Sequence, residues 1–146
     1  MDENTVFNWH DRYLLGYAEM DETHKEFVEL VNALVTVRDE ELVRALAAFS
    51  VHAEAHFAQE NEWMEKNDFP PRDCHIDEHN KVLASVHEVK QLLAQGDTEI
   101  VRDLAKALME WFPGHADYLD SALATWLVKR RHAGAPLVLR RNPLKV

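Results

Sequence analysis

The chain has 146 residues, of which 47% are hydrophobic, so we expect a single domain with a sizeable apolar core. Its net charge is −10, with all 26 Asp and Glu at or before Asp120 and six of the 16 Lys and Arg after it; an acidic body repels a phosphate backbone, and we expect no nucleic acid partner. No apolar run reaches the ~18 residues of a membrane span, the polar first residues are unlike a secretory signal, and the single cysteine, Cys74, excludes an internal disulfide, which together predict a cytoplasmic protein.

The first part of the chain predicts an arm followed by a helix. Residues 1–19 lack helical periodicity and carry Phe7, Trp9 and Tyr13, which indicates an arm packed on the body. A first helix is predicted from about Met20 to Val37. Its apolar residues follow the spacing of one helix face, and they are Phe27, Leu30, Val31, Leu34 and Val35.

Three further helices are predicted after it. The second runs from about Glu40 to Lys66, where the sequence NDFPP stops it. The third covers about Arg72 to Ala94 and ends at Gln95-Gly96, a C-cap glycine. The fourth begins at Asp97 or Thr98, both good N-cap residues, and runs to about Arg130. Within it, Pro113-Gly114 is expected to kink or split the helix.

Four helices with short connections predict an all-α fold, an up-down-up-down antiparallel four-helix bundle. The N-terminal arm and a short basic C-terminal extension flank the bundle. The one strand-like segment is Pro136-Leu137-Val138-Leu139, which is short and apolar. We expect it to dock on the body or to pair weakly.

Histidines and carboxylates recur at helical spacing on all four predicted helices. The pairs are His56-x3-Glu60, His75-x3-His79 and His115-x4-Asp120, and the first helix adds His24. Residues i and i+4 lie about 40° apart on one helix face, so each of the first two pairs can reach one point in the bundle core.

The third pair has a different spacing. At i+5, two residues lie about 140° apart on an ideal helix, so His115 and Asp120 converge only if the helix is distorted. A π-bulge is one way to achieve this, and a distortion at Pro113-Gly114 is another.

Five imidazoles and two carboxylates predict a metal site. This donor set suits iron, zinc, copper or nickel, whereas calcium and magnesium prefer all-oxygen shells. Seven ligands are too many for one tetrahedral zinc ion. Because each carboxylate can bridge two cations, a dinuclear site is expected.

The chain resembles the hemerythrin family, and within it the single-domain bacterial branch. The resemblance covers about residues 6–128 and rests on the segments FNWHDRYLLGYAEMDETHKEFVELVN, HFAQENEWM, HIDEH and WFPGHADYLD. It implies a hemerythrin-like diiron four-helix bundle over residues 1–128, followed by a basic C-terminal tail over 129–146.

The resemblance also implies the roles of the seven residues. One iron is then held by His75, His79 and His115, the other by His24 and His56, and Glu60 and Asp120 bridge the pair. The cofactors are two iron ions (Fe2+/Fe3+) with an oxo or hydroxo bridge from solvent. The two-histidine iron keeps an open position, where O2 binds reversibly as a peroxide.

An apolar pocket wall is expected around the open position. The candidates are Trp111, Phe112, Leu119, Phe57 and Leu30, with Trp111 and Phe112 expected to lie nearest the open site. His52, one turn before His56, is a candidate gate or support for this pocket. Pro113-Gly114 and Ala116 depart from the family pattern and are expected to widen the pocket or to open a solvent path, and Asn61 stands where a second acidic residue is frequent.

The function implied is oxygen carriage, storage or sensing by an oxygen-binding protein rather than an enzyme. Three alternatives stay open: a diiron redox enzyme acting on peroxide, nitric oxide or nitrite; an O2 sensor that regulates a partner through the basic tail; and a ferritin-like carboxylate oxidase. The last is ranked lowest because its Glu-x-x-His spacing is absent from the site motifs. We expect a monomer whose small-molecule partner is O2.

Overall fold

The computed structural model describes residues 7–132, and within that range it is helical without a strand. The helices are α1 (Ala18–Thr36), α2 (Leu42–Lys66), α3 (Arg72–Ala94), α4 (Glu99–His115) and α5 (Ser121–His132). Between α4 and α5 lies a π-helical segment, Ala116–Asp120. Short 3-10 turns occur at Asp11–Tyr13 and Asp39–Glu41.

The helices form a four-helix bundle. Helix α1 packs on α2 and α4, and α3 packs on α2 and α4. Because the connections are short, consecutive helices run antiparallel. Helices α4 and α5 with the π segment between them form the fourth member of the bundle. The predicted fold class is therefore confirmed.

A glycine after α3 and an aspartate side chain before α4 explain why the two helices end and begin where they do. Gly96 has a φ of 98°, the left-handed conformation that a glycine adopts without strain after a helix C-terminus. The Asp97 Oδ1 atom then accepts a hydrogen bond of 3.0 Å from the Ile100 N–H. This bond satisfies one of the unpaired amides at the start of α4.

The fourth predicted helix is interrupted later than expected. Pro113 and Gly114 lie inside α4, and the change in hydrogen bonding comes at Ala116. The α-helix thus continues past the proline before it ends, and the break is a π turn. The basic tail and the strand-like segment at 136–139 lie outside the described residues, apart from 129–132, which continue α5.

Two apolar clusters fill the bundle, and both are buried. The larger cluster contains Phe27, Phe49, Phe112 and the arm residues Phe7 and Tyr13, so the predicted packing of the arm on the body is confirmed. The smaller one joins the start of α1 to the end of α2 and to α5, through Tyr17, Met20, Met64, Phe69, Leu123, Ala124 and Leu127. The arm is held by Asp21, whose carboxylate accepts hydrogen bonds from the Leu15 and Gly16 amides.

Between residues 7 and 132, no helix is both long enough and apolar enough to cross a bilayer.

Candidate metal centre

A polar cluster lies inside the bundle, where α1, α2, α3 and the fourth helix all contribute side chains. It contains every residue that the sequence predicted for the site, and each is between 0% and 5% exposed. The seven residues are His24, His56, Glu60, His75, His79, His115 and Asp120. Because charged and polar groups are costly to bury without partners, such a cluster points to a function for these side chains.

The Glu60 carboxylate points one oxygen at each of two histidine groups. Its Oε2 lies 2.8 Å from the Nε2 of His56 and 3.2 Å from the Nε2 of His24. Its Oε1 lies 3.1 Å from the Nε2 of His79 and 3.5 Å from that of His75. Glu60 therefore stands between the two groups.

The Asp120 carboxylate repeats this arrangement from the fourth helix. Its Oδ2 lies 3.2 Å from the Nε2 of His24. Its Oδ1 lies 2.9 Å from the Nε2 of His75 and 3.2 Å from that of His115. Both carboxylates thus divide their oxygens between the same two histidine groups.

The cluster consequently has two sides. The two-histidine side comprises His24 and His56 with Glu60 Oε2 and Asp120 Oδ2, and the three-histidine side comprises His75, His79 and His115 with Glu60 Oε1 and Asp120 Oδ1. The two-histidine side offers four donor atoms and the three-histidine side offers five. This difference leaves the two-histidine side with one fewer donor.

The π segment explains how Asp120 reaches the cluster. An i+5 hydrogen-bonded turn contains more residues than an α turn, so it brings residues five apart onto one face. The segment begins directly after His115 and ends at Asp120. The distortion that the His115-x4-Asp120 spacing requires is therefore present, and of the two routes considered it is the π turn.

Neighbouring side chains hold the three-histidine side in place. The Nδ1 of His79 lies 2.9 Å from Asn61 Oδ1. The Nδ1 of His115 lies 3.2 Å from Glu78 Oε1, which also accepts a 3.2 Å hydrogen bond from the indole of Trp111. Acceptors at Nδ1 fix each ring with Nε2 directed inward. The sequence pattern gives no role to Asn61 and does not single out Glu78, although Glu78 lies within HIDEH.

Aromatic rings enclose the cluster on both sides. Phe57 stacks on His79 with ring centroids 4.1 Å apart, and Trp111 stacks on His115 at 4.2 Å. Phe112 meets His24 edge-on at 5.3 Å. Phe112 thus lies at the two-histidine side as expected, whereas the same expectation for Trp111 is wrong, because consecutive helical residues point about 100° apart.

The other expected wall residues differ in burial. Leu30 and Leu119 are only partly buried. Ala116, which was expected to widen the pocket, is fully buried in the larger apolar cluster.

A cavity of about 210 Å³ opens between α1 and α2, and the cluster forms part of its wall. His56 and Glu60 line it from inside, and Glu26, His52 and Gln59 line it further out. Burial, together with the charge of His56, lowers the pKa of His52 to about 4. His52 lies edge-on to His56 with ring centroids 5.5 Å apart, which fits the predicted position beside the pocket.

The charges of the cluster depend on one another. Burial opposes a charge on His24 and His75, but the adjacent carboxylates of Asp120 and Glu60 outweigh it, raising the pKa of His24 to about 10 and that of His75 to about 9. For Glu60, burial is outweighed by the charge of His56 and by hydrogen bonds from histidines, which hold its pKa well below the usual range. Burial lowers the pKa of His79. The carboxylates thus keep positive charge near them.

The unpaired atoms of the cluster fit metal ions. Among the described residues, the Nε2 atoms of His75, His79 and His115, Glu60 Oε1 and both Asp120 oxygens are buried without a hydrogen-bond partner. They approach one another to 2.9–3.5 Å without the alignment of hydrogen bonds. Donor atoms arranged around shared centres are what bound cations require.

Comparisons with known proteins agree with this geometry. The family model of the hemerythrin HHE cation binding domain matches residues 15–127. A bacteriohemerythrin of Ralstonia nicotianae is 44% identical over 125 residues, covering 86% of this chain and 91% of the relative. A hemerythrin-like protein of Naegleria gruberi is 29% identical over 75% of this chain and 83% of its own. In fold, a crystal structure of a hemerythrin mutant aligns with a TM-score of 0.75 at 22% identity, over 82% of this chain and 95% of the other.

Proposed function

The chain belongs to the hemerythrin family, and from this premise we propose that it is a non-haem diiron protein that binds O2 reversibly. Members of this family bind non-haem iron. Two irons per chain, and the seven residues of the cluster as their ligands, are part of the proposal.

One observation carries the proposal: each of two buried carboxylates directs one oxygen to each side of the cluster. A carboxylate that binds a single metal ion does not need to direct its two oxygens to different sides of a cluster. Under the proposal, the two-histidine side and the three-histidine side would each hold one iron, and Glu60 and Asp120 would be shared between them. Iron bound there would supply the electrons that reversible O2 binding requires.

The protein's own residues determine where O2 is accepted. The two-histidine side has one donor atom fewer, which supports it as the side that accepts O2. Phe112 and Phe27 lie over it, with ring centroids 5.3 Å apart and nearly parallel planes. Both are at most 1% exposed, so they keep water from the part of that side that they cover and limit loss of the bound oxygen there.

The visible spectrum of the reduced, iron-loaded protein tests the proposal. We expect an absorption band that appears on exposure to air and disappears when O2 is removed, together with two irons per chain by metal analysis. A protein with two irons that oxidises irreversibly would overturn reversible binding and favour a redox enzyme. One iron per chain would overturn the bridging role of the carboxylates.

The remaining expectations stay predictions. They are a monomer, a protein partner for the basic tail, the boundary near residue 128 and the cellular compartment.

A further inference from the structure

The cluster is buried, so a metal ion needs a path to reach it. Its residues are at most 5% exposed. The cavity between α1 and α2 has Glu60 and His56 in its inner wall and Glu26, His52 and Thr23 nearer its mouth. The cavity therefore joins the surface to one bridging carboxylate.

Three side chains of the types that bind metal ions follow one another along the cavity on α2. His52, His56 and Glu60 are spaced four residues apart, so each is about 6 Å further along one helix face. Their side chains are 14%, 4% and 1% exposed, in that order. Burial thus increases stepwise from the mouth of the cavity to the cluster, with a nitrogen or oxygen donor at every turn.

The mouth has the donor chemistry of the cluster itself. The Nδ1 of His52 lies 3.7 Å from the Oε1 of Glu26, whose side chain is 57% exposed. This distance exceeds that of a hydrogen bond, so His52 and Glu26 do not occupy each other's donor atoms. The Nε2 of His52 has no hydrogen-bond partner among the described residues.

The lining of the cavity favours cations. In the described part of the chain it includes the carboxylates of Glu26 and Glu60 and neither lysine nor arginine. Carboxylates lining a cleft raise the local concentration of cations and speed their association. An anion would meet the opposite field.

We propose that this cavity is the path by which divalent iron reaches the buried site, with Glu26 and His52 as its transient ligands at the mouth. The inference rests on the proposed function, because it requires that the cluster holds iron. A cation passing from Glu26 and His52 to His56 and Glu60 exchanges one set of protein ligands for the next. Neither Glu26 nor His52 belongs to the final site.

The test follows the uptake of Co2+ by the metal-free full-length protein, since cobalt absorbs in the visible range and needs no O2 chemistry. In the Glu26→Gln/His52→Gln double variant, we expect uptake to be about 10-fold slower. The final amount of bound cobalt should equal that of the unmodified protein, because the site ligands are intact.

The chain offers a matched control on the other side of α2. Glu54 and His87 face each other between α2 and α3, with His87 Nε2 3.9 Å from Glu54 Oε2, and their side chains are 51% and 58% exposed. The Glu54→Gln/His87→Gln variant removes the same charge and the same imidazole away from the cavity. Its uptake should be within about twofold of the unmodified protein, since remote exposed charges are largely screened.

A second variant tests whether the width of the cavity, independently of its charged residues, limits the uptake of the metal. Ala55 lines the cavity and is exposed. Replacing it in Ala55→Phe should therefore narrow the cavity without changing its charge. Circular dichroism shows whether this variant keeps its helical content. Slower uptake with full final binding supports the path. Unchanged rates in both cavity variants, or an equal loss of rate in the control, overturn it. If the cavity variants bind two cobalt ions at the rate of the unmodified protein, the path is overturned and the proposed function stays intact. If no form takes up cobalt, the unmodified protein included, the path and the proposed function are both overturned.

Discussion

The two sides of the metal centre differ in how firmly their histidines are held. On the three-histidine side, His79 and His115 have acceptors for Nδ1, and Phe57 and Trp111 stack on their rings. On the two-histidine side, the Nδ1 atoms of His24 and His56 have no partner among the described residues, whereas on the three-histidine side this is true of His75 alone.

The two sides also differ in their access to the cavity and in their number of donor atoms. The two-histidine side borders the cavity between α1 and α2, and it has one donor atom fewer. Under the proposed function, we therefore expect the three-histidine side to hold its metal ion in the more fixed geometry and the two-histidine side to be the one that exchanges ligands. An asymmetric pair of this kind keeps one position reactive without loosening the whole site.

Removing Glu60 damages both sides of the cluster, because each side loses one donor atom at once. In Glu60→Ala we expect iron to fall from two per chain to less than one. The unfolding free energy should drop by about 3–5 kcal/mol, since buried histidines lose their counter-charge. Metal analysis and denaturant unfolding measure both effects.

The matched control for this change is Glu54→Ala, an exposed carboxylate on the same helix. It should retain two irons and the stability of the unmodified protein. Two irons in Glu60→Ala would contradict the bridging role.

Phe112→Ala opens the two-histidine side alone. Phe112 packs on Phe27, Tyr13 and His24 and is 1% exposed, so its removal should cost about 3–5 kcal/mol of stability. Water then reaches the two-histidine side, and the oxygenated protein should oxidise irreversibly much faster. The decay of the oxygenated absorption band measures this rate.

Phe49→Ala serves as the control, since Phe49 is fully buried and packs on Phe27 but is not among the rings around the cluster. It should cost similar stability without speeding the decay. If the decay accelerates equally in both variants, general loosening of the core explains it, and Phe112 has no special role.

The sequence predicts the helices and the seven cluster residues well because both follow helical periodicity. The third helix was predicted at Arg72 to Ala94, and the structure has the same limits. The donors at i and i+4 need only an intact helix to converge. The His115-x4-Asp120 spacing also predicts a distortion of the helix, because two residues five apart do not share a face of a regular α-helix. The structure has a π turn at this position.

Contacts between helices could not be predicted in the same way. Glu78 supports His115 across the α3–α4 interface, at a sequence separation of 37 residues. Periodicity describes one helix at a time and does not give the rotation of one helix against another. A usable signal did exist, because metal-binding histidines nearly always donate their other N–H to an acceptor. A search for carboxylates near each histidine motif would have found Glu78.

Glu78→Ala weakens the three-histidine side without removing a proposed ligand. It leaves His115 without its acceptor and frees the Trp111 indole. Loss of such a support typically weakens metal binding about 10–100-fold, which competition with a chelator measures. Glu78→Gln keeps an acceptor oxygen and should lose less, and Glu88→Ala, an exposed carboxylate further along α3, should lose none. Equal losses in Glu78→Ala and Glu88→Ala would mean that surface charge alone matters.

The smallest expected effect is a shift in reduction potential with the iron count unchanged. Asn61→Asp places a full negative charge at the acceptor of His79, where the unmodified hydrogen bond is 2.9 Å long. A charged acceptor makes a stronger hydrogen bond and a more basic imidazole. More basic ligands stabilise ferric over ferrous iron, so the reduction potential should fall while the iron count stays at two.

Asn61→Leu, which removes the acceptor, should move the potential in the opposite direction, because His79 then loses the support that makes it basic. Spectroelectrochemical titration gives both potentials. Shifts of the same sign in the two variants would mean that packing around His79, and not its hydrogen bond, sets the properties of the three-histidine side.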